Sequence, residues 1–129
     1  MSNRRAPGPS GYRSDFLRSP AWYARRDRWF HKQDRLGFPS ACTVCGELAP
    51  SASLELHHLD YGGVTIVGNQ WRAFERHDDL VAMHPSCHDL VHRLIDRDTV
   101  LAHQRTRRDA TAIAIARVRE ALITQREQK

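Results

Sequence analysis

The chain has 129 residues, 40% hydrophobic and 27% charged, with 20 Lys and Arg against 15 Asp and Glu for a net charge of +5. That length suits one ordinary domain with arms and argues against two full domains. Uncharged runs such as Tyr61–Trp71 are far too short to span a bilayer, so no membrane association is expected.

Residues 1–13 read as a flexible tail, rich in Pro and Gly and without apolar periodicity. Their basic residues have no apolar stretch behind them, so no secretory signal is expected and the location reads as cytoplasmic. Residues 14–36 form a basic segment in which Ser19-Pro20 supplies an N-cap and a first-turn proline, predicting a helix through about Leu36. Trp22, Trp29 and Phe30 recur there near helical spacing, interleaved with Arg25, Arg26, Arg28 and Lys32. Residues 37–95 carry short strands and loops, including Leu54–Leu59 and Val64–Val67, and then a short helix opened by Pro85. Residues 96–129 predict one last helix from about Thr99 to Gln125, from the apolar pattern at 110, 113, 114, 118, 121 and 122. The fold class is therefore α+β, a small core flanked by N- and C-terminal helices.

A core of this size needs a staple, and the residues offer a metal. Cys42-Thr-Val-Cys45 is matched further on by His84-Pro-Ser-Cys87. Two pairs at the same x-x spacing, three thiolates and one imidazole, fit a closed tetrahedral structural Zn²⁺ site, because each tight turn aims both of its side chains at one ion. Cysteines kept reduced for a metal, rather than paired in disulfides, fit an intracellular chain.

A second constellation is built from histidines. Leu54-Glu-Leu-His57-His58 alternates as a strand does, so the two imidazoles point to opposite faces and serve different roles. His88 and His92, spaced i, i+4, share one helix face. His57, His88 and His92 together predict an open three-ligand site with positions left for water and phosphate.

These residues resemble a known family. Cys42-x-x-Cys45, Leu56-His57-His58-Leu-Asp-Tyr61, Asp79-Leu-Val-Ala-Met-His84-x-x-Cys87-His88 and His92 look like the HNH endonucleases, whose fold is a ββα-metal core stapled by zinc. The resemblance covers about residues 40–92, with Leu17–Trp22 similar to the lead-in of small members. It implies a hydrolase that cuts DNA, by nicking or double-strand cleavage, with RNA as a further substrate class. It also implies that His57, His88 and His92 hold a catalytic divalent ion (Mg²⁺, Mn²⁺, Ni²⁺ or Zn²⁺) and that His58 is the general base. The family's middle Asn falls on Asp79, and His84 stands where the family usually has a third Cys in its zinc knuckle. Small stand-alone members occur in phages, where some assist DNA packaging with other DNA-processing proteins.

The charge layout fits that expectation. Residues 1–36 carry +6, residues 37–92 carry −5 and residues 93–129 carry +4. Basic arms suit counterion release on a nucleic acid, and Arg25, Arg26, Arg28, Arg105, Arg107 and Arg108 are the candidate backbone contacts, against a reading of each as a solvated helix face. The competing function is a catalytically idle zinc module that binds nucleic acid or a protein. A ribonuclease or toxin-type nuclease on the same fold is a third.

Overall fold

A computed structural model describes residues 15–128, so the expected tail at 1–13 lies outside the described residues. Helix α1 is Pro20–Arg35. Ser19 caps it by accepting from the Trp22 N–H, and Pro20 begins it where a missing N–H costs nothing. Trp22, Arg25 and Trp29 form its buried stripe. Gly37, at φ +81°, takes the left-handed turn that ends it.

Cys42 and Cys45 sit in the tight turn that follows. Gly46, at φ +80°, closes it by donating to the Cys42 carbonyl at 2.9 Å. Next come β1 (Glu55–His58), the hairpin of β2 (Val64–Val67) and β3 (Gln70–Ala73), and β4 (Leu80–Met83). β1 pairs antiparallel with β4, with His57 opposite Val81 and His58 opposite Leu80, so the β2–β3 hairpin is an insertion between partners. The chain is thus α+β, with two small antiparallel sheets and helices on either side.

β4 runs directly into α2 (Pro85–Arg97), followed by α3 (Thr99–His103) and α4 (Arg107–Glu127). The single helix expected from Thr99 to Gln125 is therefore two. Thr106 opens a second N-terminus by accepting from the Asp109 N–H, while Asp98 caps α3 through Val100 and Leu101. The apolar pattern continues through this break because both helices pack on α2, and a capping threonine outweighs continuity of pattern.

Phe16, Trp22, Leu54, Leu56, Leu80, Met83, Val91, Ala114 and Val118 form one core. Full burial of a side chain such as Phe16 contributes roughly 1.5–3 kcal/mol. Among the described residues no helix is long and apolar enough to cross a membrane.

Candidate metal centres

Cys42, Cys45, His84 and Cys87 come together with ligand atoms all within 4.8 Å of one another. Cys45 Sγ lies 3.3 Å from His84 Nδ1, and the His84 N–H donates to Cys42 Sγ at 3.3 Å. Ligands of a tetrahedral zinc, at Zn–S of about 2.3 Å and Zn–N of about 2.0 Å, lie roughly 3.5 Å apart, so the spacing fits the ion. None of the three thiols is in a disulfide. Burial raises the Cys42 thiol, but the backbone N–H groups of Cys45, His84 and Val44 outweigh it and draw its pKa down to about 7. Burial and then the neighbouring Cys42 and Cys45 sulfurs push Cys87 up to about 12. Clustered sulfurs that resist ionising together gain most from a cation among them. The group can hold a metal ion such as zinc.

The second cluster joins β1 to α2. His57 Nδ1 lies 3.1 Å from His88 Nε2, and His88 Nε2 lies 3.0 Å from His92 Nε2. All three ligand atoms fall within 4.8 Å of one another. Two nitrogens about 2.0–2.1 Å from a tetrahedral ion are about 3.3 Å apart, close to these separations. Each of two rings also has its far nitrogen held by oxygen: His57 Nε2 by Thr111 Oγ1 at 2.9 Å, and His88 Nδ1 by Glu55 Oε1 at 2.9 Å. With Nδ1–H donating to Glu55, His88 Nε2 keeps one lone pair, yet it faces two neighbouring nitrogens. One lone pair cannot accept from both neighbours; a shared cation would satisfy all three nitrogens. Burial, then the charges of Arg107 and His92, holds His57 well below its ordinary pKa, in the neutral form that ligates.

His58 is on the opposite face of β1. It is 1% exposed, stacked on Tyr61 with ring centroids 4.2 Å apart and packed against Trp22 at 4.7 Å. Its Nε2 lies 2.7 Å from Glu75 Oε2, and both side chains are buried. Burial lowers its pKa and outweighs Glu75, which acts the other way. Asp79 does not face the histidine cluster through its carboxylate. Oδ2 accepts from the Arg76 N–H at 2.9 Å, and Oδ1 accepts from Arg108 Nη2 at 2.8 Å.

The six candidate arginines divide. Arg25 is 8% exposed and donates from Nε to the Glu75 carbonyl at 3.0 Å. Arg26 donates to the Ser51 and Leu54 carbonyls, Arg107 to the His58 carbonyl at 2.5 Å, and Arg108 to the Asp78 carbonyl and Asp79. All four bond within the fold, Arg25 buried and Arg26, Arg107 and Arg108 partly exposed. A guanidinium has five donors in a fixed fork, which suits it to collecting carbonyls that strands and caps leave unpaired. Arg28 and Arg105 are exposed.

Glu55, Glu75 and Thr111 were not legible as site residues. Thr111 left a faint trace, a hydroxyl on the buried stripe with Ala114 and Val118; the two glutamates left none. No family model, curated protein or solved structure matches the chain.

Proposed function

We propose that the chain is a metal-dependent endonuclease of the HNH, ββα-metal type, hydrolysing DNA phosphodiester bonds. The observation that carries this reading is the convergence of His57 Nδ1, His88 Nε2 and His92 Nε2 on one point. Three imidazole nitrogens meeting at one point would hold a divalent ion there and leave room for water and a phosphate oxygen. The succession β1, β4, α2 supports it too, with both histidines at the end of β1 and the Cys/His group at the foot of α2.

A divalent ion bound there supplies charge neutralisation at the phosphoryl oxygens and the departing 3′-oxygen. The chain's own residues do the rest. His58 takes the proton of the attacking water, kept neutral near pH 7 by burial and by the Arg107 charge. Glu75 accepts from its Nε2 and so fixes the ring and leaves Nδ1 as the basic nitrogen. Asp79, where the resemblance expects Asn, acts as a structural acceptor, and its carbonyl takes the Leu59 N–H at 2.6 Å to hold the turn behind His58. Arg28 and Arg105 are the remaining candidates for backbone contact with DNA.

One observation favours a second reading, an idle zinc module that binds nucleic acid or a protein: His58 is 1% exposed and its Nε2 is already engaged. Supercoiled plasmid incubated with the protein in Mg²⁺, Mn²⁺ or Ni²⁺ separates the two. Nicking that EDTA and His58→Ala both abolish supports the nuclease. Intact plasmid under every metal, with zinc still bound, supports the idle module.

A further inference from the structure

The first turns of α4 lie against the histidine centre from outside the motif-bearing segment. One of their side chains reaches a member of the centre, and two brace the backbone around His58 and Asp79. Arg107 Nε donates to the His58 carbonyl at 2.5 Å, and its guanidinium lies 5.0 Å from the centre of the Tyr61 ring that stacks on His58. Arg108 spans the Asp78 carbonyl and the Asp79 carboxylate, at 2.9 and 2.8 Å. Thr111, 0% exposed, lies 2.9 Å from His57 Nε2 through its hydroxyl.

The Thr111 contact decides which nitrogen His57 can offer. An imidazole has one nitrogen on each side of the ring, and whatever holds one of them sets the role of the other. Thr111 occupies Nε2, so the nitrogen turned toward His88 and His92 is Nδ1. Glu55 does the same for His88 from β1, leaving Nε2 inward. Oxygen partners behind ligating histidines orient the ring and raise its basicity, and their loss commonly weakens metal binding 10–100-fold.

We infer that α4 is a working part of the centre, with Thr111 as a positioning residue that fixes His57 so that Nδ1 is the atom presented to a divalent cation. This rests on the reading of His57, His88 and His92 as a metal site, and deepens it by adding residues from the C-terminal helix. Val in place of Thr111 keeps the shape and removes the oxygen; Ser keeps the oxygen.

The test uses the full chain with zinc on the Cys/His group, titrated with Ni²⁺ by calorimetry. Thr111→Val is expected to take the second ion roughly 10–100-fold more weakly than wild type, and Thr111→Ser within a few-fold, with zinc content unchanged in both. Wild-type affinity in Thr111→Val would overturn the inference and leave the metal site standing. A wild-type chain that takes no second ion would overturn both. Ring ¹⁵N spectra of wild-type protein loaded with zinc at both sites need no variant. They are expected to assign His57 as metal-bound at Nδ1 and protonated at Nε2, and the reverse assignment would sink the inference even if Thr111→Val failed to fold.

Discussion

Replacing Asp79 by Asn tests what this residue does here, because the HNH resemblance expects Asn at the position while the structure uses a carboxylate. Asp79 is 4% exposed and accepts on both oxygens: Oδ2 from the Arg76 N–H, Oδ1 from Arg108 Nη2 at 2.8 Å. A carboxamide has one acceptor and one donor end. Either orientation therefore turns an NH₂ toward a donor, the Arg76 backbone or the Arg108 guanidinium. In the orientation that keeps the Arg76 N–H, the charge-assisted bond to Arg108 is lost, at about 1.5–3 kcal/mol for a bond of that kind. Arg108 recovers part of this because its side chain is 41% exposed and it still holds the Asp78 carbonyl. About 2 kcal/mol remains, and at roughly 4 °C per kcal/mol for a chain of this length the melting temperature should fall by about 8 °C. Thermal unfolding of zinc-loaded protein measures it. A cycle with Arg108→Ala and the double variant should return a coupling of about 1–2 kcal/mol. An Asp79→Asn protein that melts at or above the wild type, or a cycle that is additive, would refute the argument.

Exposed and internal arginines should separate cleanly. Arg105→Ala and Arg28→Ala should each lower the salt dependence of DNA binding by about one counterion with melting unchanged, whereas Arg25→Ala, which removes a buried donor to the Glu75 carbonyl, should cost about 1.5–3 kcal/mol in urea unfolding. Stability should also depend on pH, because His57 and His58 are both held below their ordinary value of 6.5, chiefly by burial. The unfolded chain binds the extra protons, so full stability is present above about pH 6.5 and falls below it, by at most roughly 1.4 kcal/mol per pH unit per ring, until each ring's folded-state pKa is passed; a flat urea midpoint from pH 7 to 5, in protein loaded only at the Cys/His group, would contradict this. Ion removal should be asymmetric: Cys42→Ser with Cys87→Ser should abolish binding at both centres, while His88→Ala should leave stoichiometric zinc on the cysteines, both read by metal analysis of the folded fraction.

What could be read in the sequence was what local spacing encodes. The x-x spacing in Cys42–Cys45 and His84–Cys87 describes two turns, and the i, i+4 spacing of His88 and His92 describes one helix face; both survive in the folded chain because neither depends on distant residues. Alternation along β1 correctly sent His57 and His58 to opposite sides, one toward α2 and α4, the other toward Trp22. Long-range partners were illegible. β4 pairs with a strand about 25 residues upstream, across an inserted hairpin. Glu75 is one acidic residue among several until folding sets it against His58. The internal bonds of the arginines were illegible for another reason: a basic helix looks the same in sequence whether its guanidinium groups reach solvent or a backbone carbonyl, and Arg25 and Arg108 reach the latter.

The two clusters are not independent, and the reason lies in consecutive residues of α2. Cys87 belongs to one group and its neighbour His88 to the other. Successive side chains on a helix diverge by about 100°, so the first turn of α2 contributes one member to each group. Its start is fixed by the knuckle: Cys42 Sγ accepts from the His84 N–H, and the Thr43 N–H donates to the Ala82 carbonyl at the end of β4. The phase of α2 about its own axis, and so the direction of His88 and His92, follows from that anchorage. The histidine centre makes no comparable claim on the cysteines. Its other supports come from β1 and α4, through Glu55 and Thr111. Order therefore passes from the sulfur group to the nitrogen group. A cation held by the cysteines would therefore steady the reference that aims two of the three imidazoles, whereas the turn and the strand end that carry the thiols do not depend on the imidazoles.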